Sequence, residues 1–101
     1  MNTIQKNKVE NMTSPRGNRE VPNQFIITLY DENGIMHEYF QSYKSIIALN
    51  VYGKEPKTYL DEHYWDYSTT TGKYRNQFLG EDKAETMRKI KSGEYLLANL
   101  N

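Results

Sequence analysis

From Gln24 to Leu60 apolar and polar positions alternate in short runs closed by turn residues, and from Ser68 to Gly93 the spacing widens to that of helices. Gln24-Phe25-Ile26-Ile27-Thr28-Leu29-Tyr30 is rich in β-branched and aromatic residues, and alternation sets Phe25, Ile27 and Leu29 on one face of a strand. Asp31-Glu32-Asn33-Gly34 follows, then a second run from Ile35 to Gln41, so the pair reads as a hairpin on an Asn-Gly turn. Either Ile35 and Tyr39 or Met36 and Phe40 face the core, depending on register.

Ser45-Ile46-Ile47-Ala48-Leu49-Asn50-Val51 is compatible with strand or helix by periodicity alone. The turn-rich Tyr52-Gly53-Lys54-Glu55-Pro56 and the extended run Lys57-Thr58-Tyr59-Leu60 favour a strand and a second hairpin. The result is a four-stranded antiparallel meander. Ser68, Thr69 and Thr70 then offer N-cap hydroxyls, Tyr74 and Phe78 pair at i, i+4, and Gly80 stops a helix of about ten residues. Glu81-Asp82 opens a second helix through Ala84, Met87 and Ile90, with Arg88, Lys89 and Lys91 in its last turn before Gly93. Residues 94–101 are apolar enough to dock on the domain as an added strand or a helical extension. The fold class is α+β, a single small domain over residues 23–101.

Residues 1–22 contain no aromatic and few apolar side chains, and read as a flexible arm. Charge changes this picture. The whole chain of 101 residues balances 13 cations against 13 acids. The arm holds Lys6, Lys8, Arg16 and Arg19 against Glu10 and Glu20, a charge of +2, so the rest is −2. A strongly basic nucleic-acid binder and a highly acidic DNA mimic are both disfavoured by the balance. The absence of cysteine excludes a disulfide scaffold, a thiolate zinc site and a cysteine nucleophile. No apolar run suffices to cross a bilayer or serve as a signal peptide, so a cytoplasmic protein is expected and the Asn11-Met12-Thr13 sequon is chance.

Candidates for chemistry are few. Asp61, His63 and Asp66 are the densest metal-type donors, but their spacing matches no closed ligand motif. His37 lies mid-strand without a neighbouring nucleophile. Thr69-Thr70-Thr71-Gly72-Lys73 lacks the leading glycine and residue order of a phosphate loop, and helix capping accounts for it. No catalytic residue, cofactor or metal is expected. Six aromatics crowd residues 59–78: Tyr59, Tyr64, Trp65, Tyr67, Tyr74 and Phe78. With Lys73 and Arg75 among them they suit base stacking along a single strand, anchoring of a protein interface, or filling the gap between sheet and helix.

Phe40 to Ala48, Tyr59-Leu60 and above all Trp65-Asp66-Tyr67-Ser68 leading through Lys73-Tyr74-Arg75-Asn76-Gln77-Phe78 resemble a group of small uncharacterised proteins of phages, plasmids and integrated elements of Gram-positive bacteria. The resemblance covers residues 24–92 and implies a mobile-element setting without an assigned activity. Small proteins of such elements are often inhibitors of host defence, anti-CRISPR proteins among them. The expected function is therefore non-enzymatic: binding and inhibition of a host macromolecule, a protein or ribonucleoprotein such as a CRISPR-Cas nuclease. Tyr64, Tyr67, Lys73 and Arg75 are the expected contact residues, with Trp65 and Phe78 structural. The alternative is a small nucleic-acid-binding module using Lys73, Arg75 and the N-terminal arm, with no membrane role.

Overall fold

The computed structural model describes residues 6–101. Its elements are β1 (Lys8–Thr13), β2 (Glu20–Tyr30), β3 (Met36–Ser42), β4 (Ser45–Val51), β5 (Lys57–Asp61), α1 (Thr69–Leu79), α2 (Lys83–Ser92) and β6 (Tyr95–Ala98). The six strands form one sheet in sequence order, every neighbouring pair antiparallel except β5 and β6, which run parallel.

The expected meander is β2–β5, and the sheet extends beyond it at both edges. Part of the expected arm is structured: Lys8–Thr13 pairs with β2, with Val9 opposite Ile27 and Asn11 opposite Phe25, while residues 1–5 lie outside the described residues. An edge strand exposes most of its side chains, so it needs little apolar content; only Met12 of β1 is buried. The β2–β3 turn is also a correction in detail. Gly34 alone has a positive φ, and the Asp31 carboxylate accepts from the N–H groups of Asn33 and Ile35. That is a three-residue loop closed by a left-handed glycine, not a two-residue Asn-Gly turn.

Both helices end as their cap residues dictate. The Ser68 hydroxyl accepts from Thr71 N–H and Gly80 takes the left-handed conformation after α1. Asp82 and Gly93 do the same for α2. A parallel β6 requires a crossover, and α1 and α2 supply it between β5 and β6. The tail expected to dock as strand or helix is thus a strand. Asp61 ties it down: buried at the end of β5, its carboxylate accepts from the N–H groups of His63, Tyr64 and Leu100. Glu81 does so at the other end, accepting from Tyr95 Oη at 2.7 Å, Lys89 Nζ at 2.8 Å and Thr86 Oγ1 at 2.6 Å.

One sheet face carries the core. Phe40, Ala48 and Leu60 lie in cross-strand register, Ile47 bulges inward beside them, and Tyr74, Phe78, Leu79 and Ile90 pack on top from the helices. The Phe40 and Phe78 rings stack at 5.7 Å between centroids. The opposite face carries a second register row, Val9, Ile27, Tyr39, Leu49, Tyr59 and Leu96, one residue from each strand. Its partial exposure shows that the helices lie on the other side.

Burial acts to raise the pKa of both Asp61 and Glu81, and their hydrogen bonds overcome it, holding each below the usual carboxylate range. The folded form therefore binds these protons less readily than the unfolded chain. Their contribution is present above the unfolded value, about pH 4, and is lost as pH falls through the lower folded values. Melting temperature should hold from neutral pH down to about pH 5 and fall as pH drops below about 4. Asp61→Asn should melt lower at neutral pH but show a flatter acid decline; an unchanged slope would count against this anchoring role.

Candidate partner-binding surface

The β3–β4 turn, Ser42-Tyr43-Lys44-Ser45, is built on an unusual backbone. Tyr43 has φ +57° and Asn23, beside it on β2, has φ +66°; they are the only non-glycine residues of positive φ among the described residues. Tyr43 N–H donates to the Asn23 carbonyl at 2.7 Å, and Gln41 Nε2 donates to the Tyr43 carbonyl at 2.8 Å. A left-handed tyrosine costs roughly 1–2 kcal/mol, so its neighbours must hold it there. The turn presents the Tyr43 ring to solvent at 49% exposure, with Lys44 exposed next to it.

A chain of hydroxyls bolts this turn to the start of α1. Ser42 Oγ lies 2.9 Å from Thr71 Oγ1, which accepts from Ser68 Oγ at 3.1 Å. Tyr67, immediately before the Ser68 cap, is 64% exposed and lines a shallow depression with Ser42, Tyr43, Lys44 and Ser45. Tyr64 backs it edge-on at 5.5 Å and is itself half-buried against the core. Lys73 is exposed at the start of the second turn of α1, its ammonium 5.4 Å from the Tyr74 ring centroid.

Arg75 does not join this surface. It is 1% exposed, and its guanidinium donates to the Trp65 carbonyl at 2.8 Å, to Asp66 Oδ1 at 3.3 Å and to Asn76 Oδ1 at 3.0 Å. Its charge also lies 5.3 Å from the Trp65 ring centroid. Helical period turns position 75 inward while position 73 faces water, so Arg75 braces the loop that carries Tyr64 and Tyr67. Asp66 bridges onward to Lys83 at 2.6 Å; that contact first, and Arg75 second, outweigh partial burial and hold its pKa low. Trp65 and Phe78 are packed against the core, as expected of structural residues. Of the four expected contact residues, Tyr67 and Lys73 are exposed, Tyr64 is shared with the core, and Arg75 is buried.

Tyr43 and Lys44 escaped the sequence reading. The run Ser42 to Ser45 between two apolar strands carries the signal of a two-residue turn, and a turn presents its middle side chains.

The remaining candidates disperse. The Asp61 carboxylate is occupied by backbone donors, His63 is exposed beside Glu62, and Asp66 holds two cations. His37 pairs with Asp31 across the hairpin at 3.2 Å. Among the described residues no three His, Asp or Glu side chains form a group suited to a metal ion. Among them, too, no helix is long and apolar enough to cross a membrane.

Fold and surface define a small α+β protein, a six-stranded, mostly antiparallel sheet backed on one face by two helices. The chain belongs to a family of unknown function, DUF8033, whose model matches residues 6–94. No curated protein and no solved structure matches it. The matched span takes in β1 and the whole stretch from Trp65 to Phe78, the segment most specific to the resemblance read from the sequence.

Proposed function

We propose that the protein works by binding, and that the surface of Tyr43, Lys44, Tyr67 and Lys73 engages a host macromolecule of a bacterial cell and inhibits it. The observation that carries this reading is the exposure of Tyr67 and Tyr43 side by side on rigid supports. Tyrosine buries a large area on binding at small conformational cost and keeps a polar tip, which makes it a frequent hot spot. The likeness of the Trp65 to Phe78 segment to mobile-element proteins supports a host-defence target in the cytoplasm, and a CRISPR-Cas nuclease is the target to test first. Capture from host lysate and a nuclease inhibition assay test it; no partner and no inhibition end it. Tyr67→Ala should weaken the interaction at least about 30-fold, the effect of a hot spot of about 2 kcal/mol. Tyr43→Gly should leave stability unchanged or raise it by up to about 1 kcal/mol, because glycine accepts positive φ, while also weakening binding.

Lys44 beside two exposed tyrosines, with Lys73 exposed on α1 after the Tyr67 loop, also supports a second reading, a nucleic-acid-binding module in which bases stack on the rings. Residues 8–13 and Arg75 are engaged within the fold, so Lys44 and Lys73 take over the phosphate contacts assigned to the arm and Arg75. Affinity for DNA or RNA should then fall steeply with salt, and absence of binding at low ionic strength dismisses this alternative.

A further inference from the structure

We infer that the sheet face turned away from the helices is a self-association surface, on which a second copy of this chain packs sheet to sheet. Its central row, Val9, Ile27, Tyr39, Leu49, Tyr59 and Leu96, crosses all six strands without a charged side chain. Phe25 and Ile46 extend it on one side, Leu29 and Val51 on the other. At its edges Val9 is 66% and Leu96 41% exposed, between them Ile27, Tyr39 and Tyr59 are partly exposed and Leu49 is 9% exposed, and the core residues of the helices pack on the other face. Soluble monomers rarely leave so continuous an apolar face open.

Charge and area select the occupant. A nucleic acid needs cations along its track, and these three rows offer only His37 and Lys57, both in the row of Leu29 and Val51. The one carboxylate in them, Asp61 in the row of Phe25, is buried and taken up by backbone donors, so it offers nothing to a basic partner. A second copy fits. A two-fold axis along the central row sets the Val9 to Leu96 row against itself and lays the row of His37 and Lys57 over the row of Phe25, Gln41, Ile46 and the buried Asp61. No like charges then meet, and aligned packing of two twisted sheets is an ordinary geometry.

Six strands about 4.8 Å apart and three rows about 6.7 Å apart give a face of about 500 Å², or about 1,000 Å² buried in a pair. That reaches the lower bound for a specific interface and falls short of an obligate dimer, so association should depend on concentration.

Sedimentation velocity on the full chain from about 1 µM to about 500 µM tests this, with the mean mass expected to move from one copy toward two. Leu96→Glu, at an exposed edge position, and Tyr39→Glu, at the centre, should stay monomeric over that range. Tyr67→Ala should dimerise like the parent, since it lies on the other surface. A parent that sediments as a monomer throughout overturns the inference and leaves the Tyr67 surface untouched. So does a Leu96→Glu chain, shown folded by circular dichroism, that dimerises unchanged; this second variant decides the matter if Tyr39→Glu fails to fold.

Discussion

Arg75→Ala is expected to lower unfolding stability by about 3–5 kcal/mol, measured as a fall in urea midpoint at constant slope. The loss has three sources. The Trp65 carbonyl loses its donor, Asp66 and Asn76 each lose a hydrogen bond, and the Trp65 ring loses the stem and charge packed against it. Asp66 keeps Lys83, so no isolated charge is left behind. Arg75→Met separates these contributions: it refills most of the volume and should cost about 1–3 kcal/mol for the missing donors. Were Arg75 a contact residue instead, Arg75→Ala would weaken binding and leave the urea midpoint where it was.

Phe40→Ala should cost a similar 3–5 kcal/mol, the usual range for emptying a fully buried phenylalanine site. Phe40 is inaccessible to solvent, aligned with Ile26 and Ala48 on neighbouring strands, and stacked on Phe78 of α1. It is where sheet and helix meet, so the space left cannot be closed by one element moving alone. A domain of this size has about 5–15 kcal/mol in all, which puts the variant near the limit of folding. Phe40→Leu should lose much less; equal losses for both would mean that the ring's shape and stacking contribute more than its volume. A midpoint unchanged in Phe40→Ala would contradict the placement of the core.

Both effects bear on what could be read from residues alone. Elements set by near neighbours were legible: the capping signals Ser68, Gly80, Asp82 and Gly93 mark both helices, and β-branched alternation with turn residues marks β2–β5. Elements that exist through distant partners were not. Lys8–Thr13 carries one buried side chain and becomes a strand because β2 offers a free edge, while the strand identity of Tyr95–Ala98 depends on β5 lying beside it. The contact surface was half legible. Tyr67 and Lys73 are where polar, exposed residues should be, but a cation is ordinarily read as a surface group, and nothing within one helical turn of Arg75 discloses that Trp65 covers it. Tyr43 depends on a positive φ, which a tyrosine's identity argues against.

The parallel join between β5 and β6 also orders events in time. A chain emerging from the ribosome can zip β1 to β5 one hairpin after another, since each new strand pairs with the one just made. The last strand must wait until both helices have passed, because its register partners on β5 were laid down 37 residues earlier. Until then the edge of β5 is an open template and Asp61 lacks the amide of Leu100. Nascent chains arrested before Tyr95 should therefore be the species most open to chaperones and mispairing, and closure of the sheet should coincide with the end of synthesis of this domain.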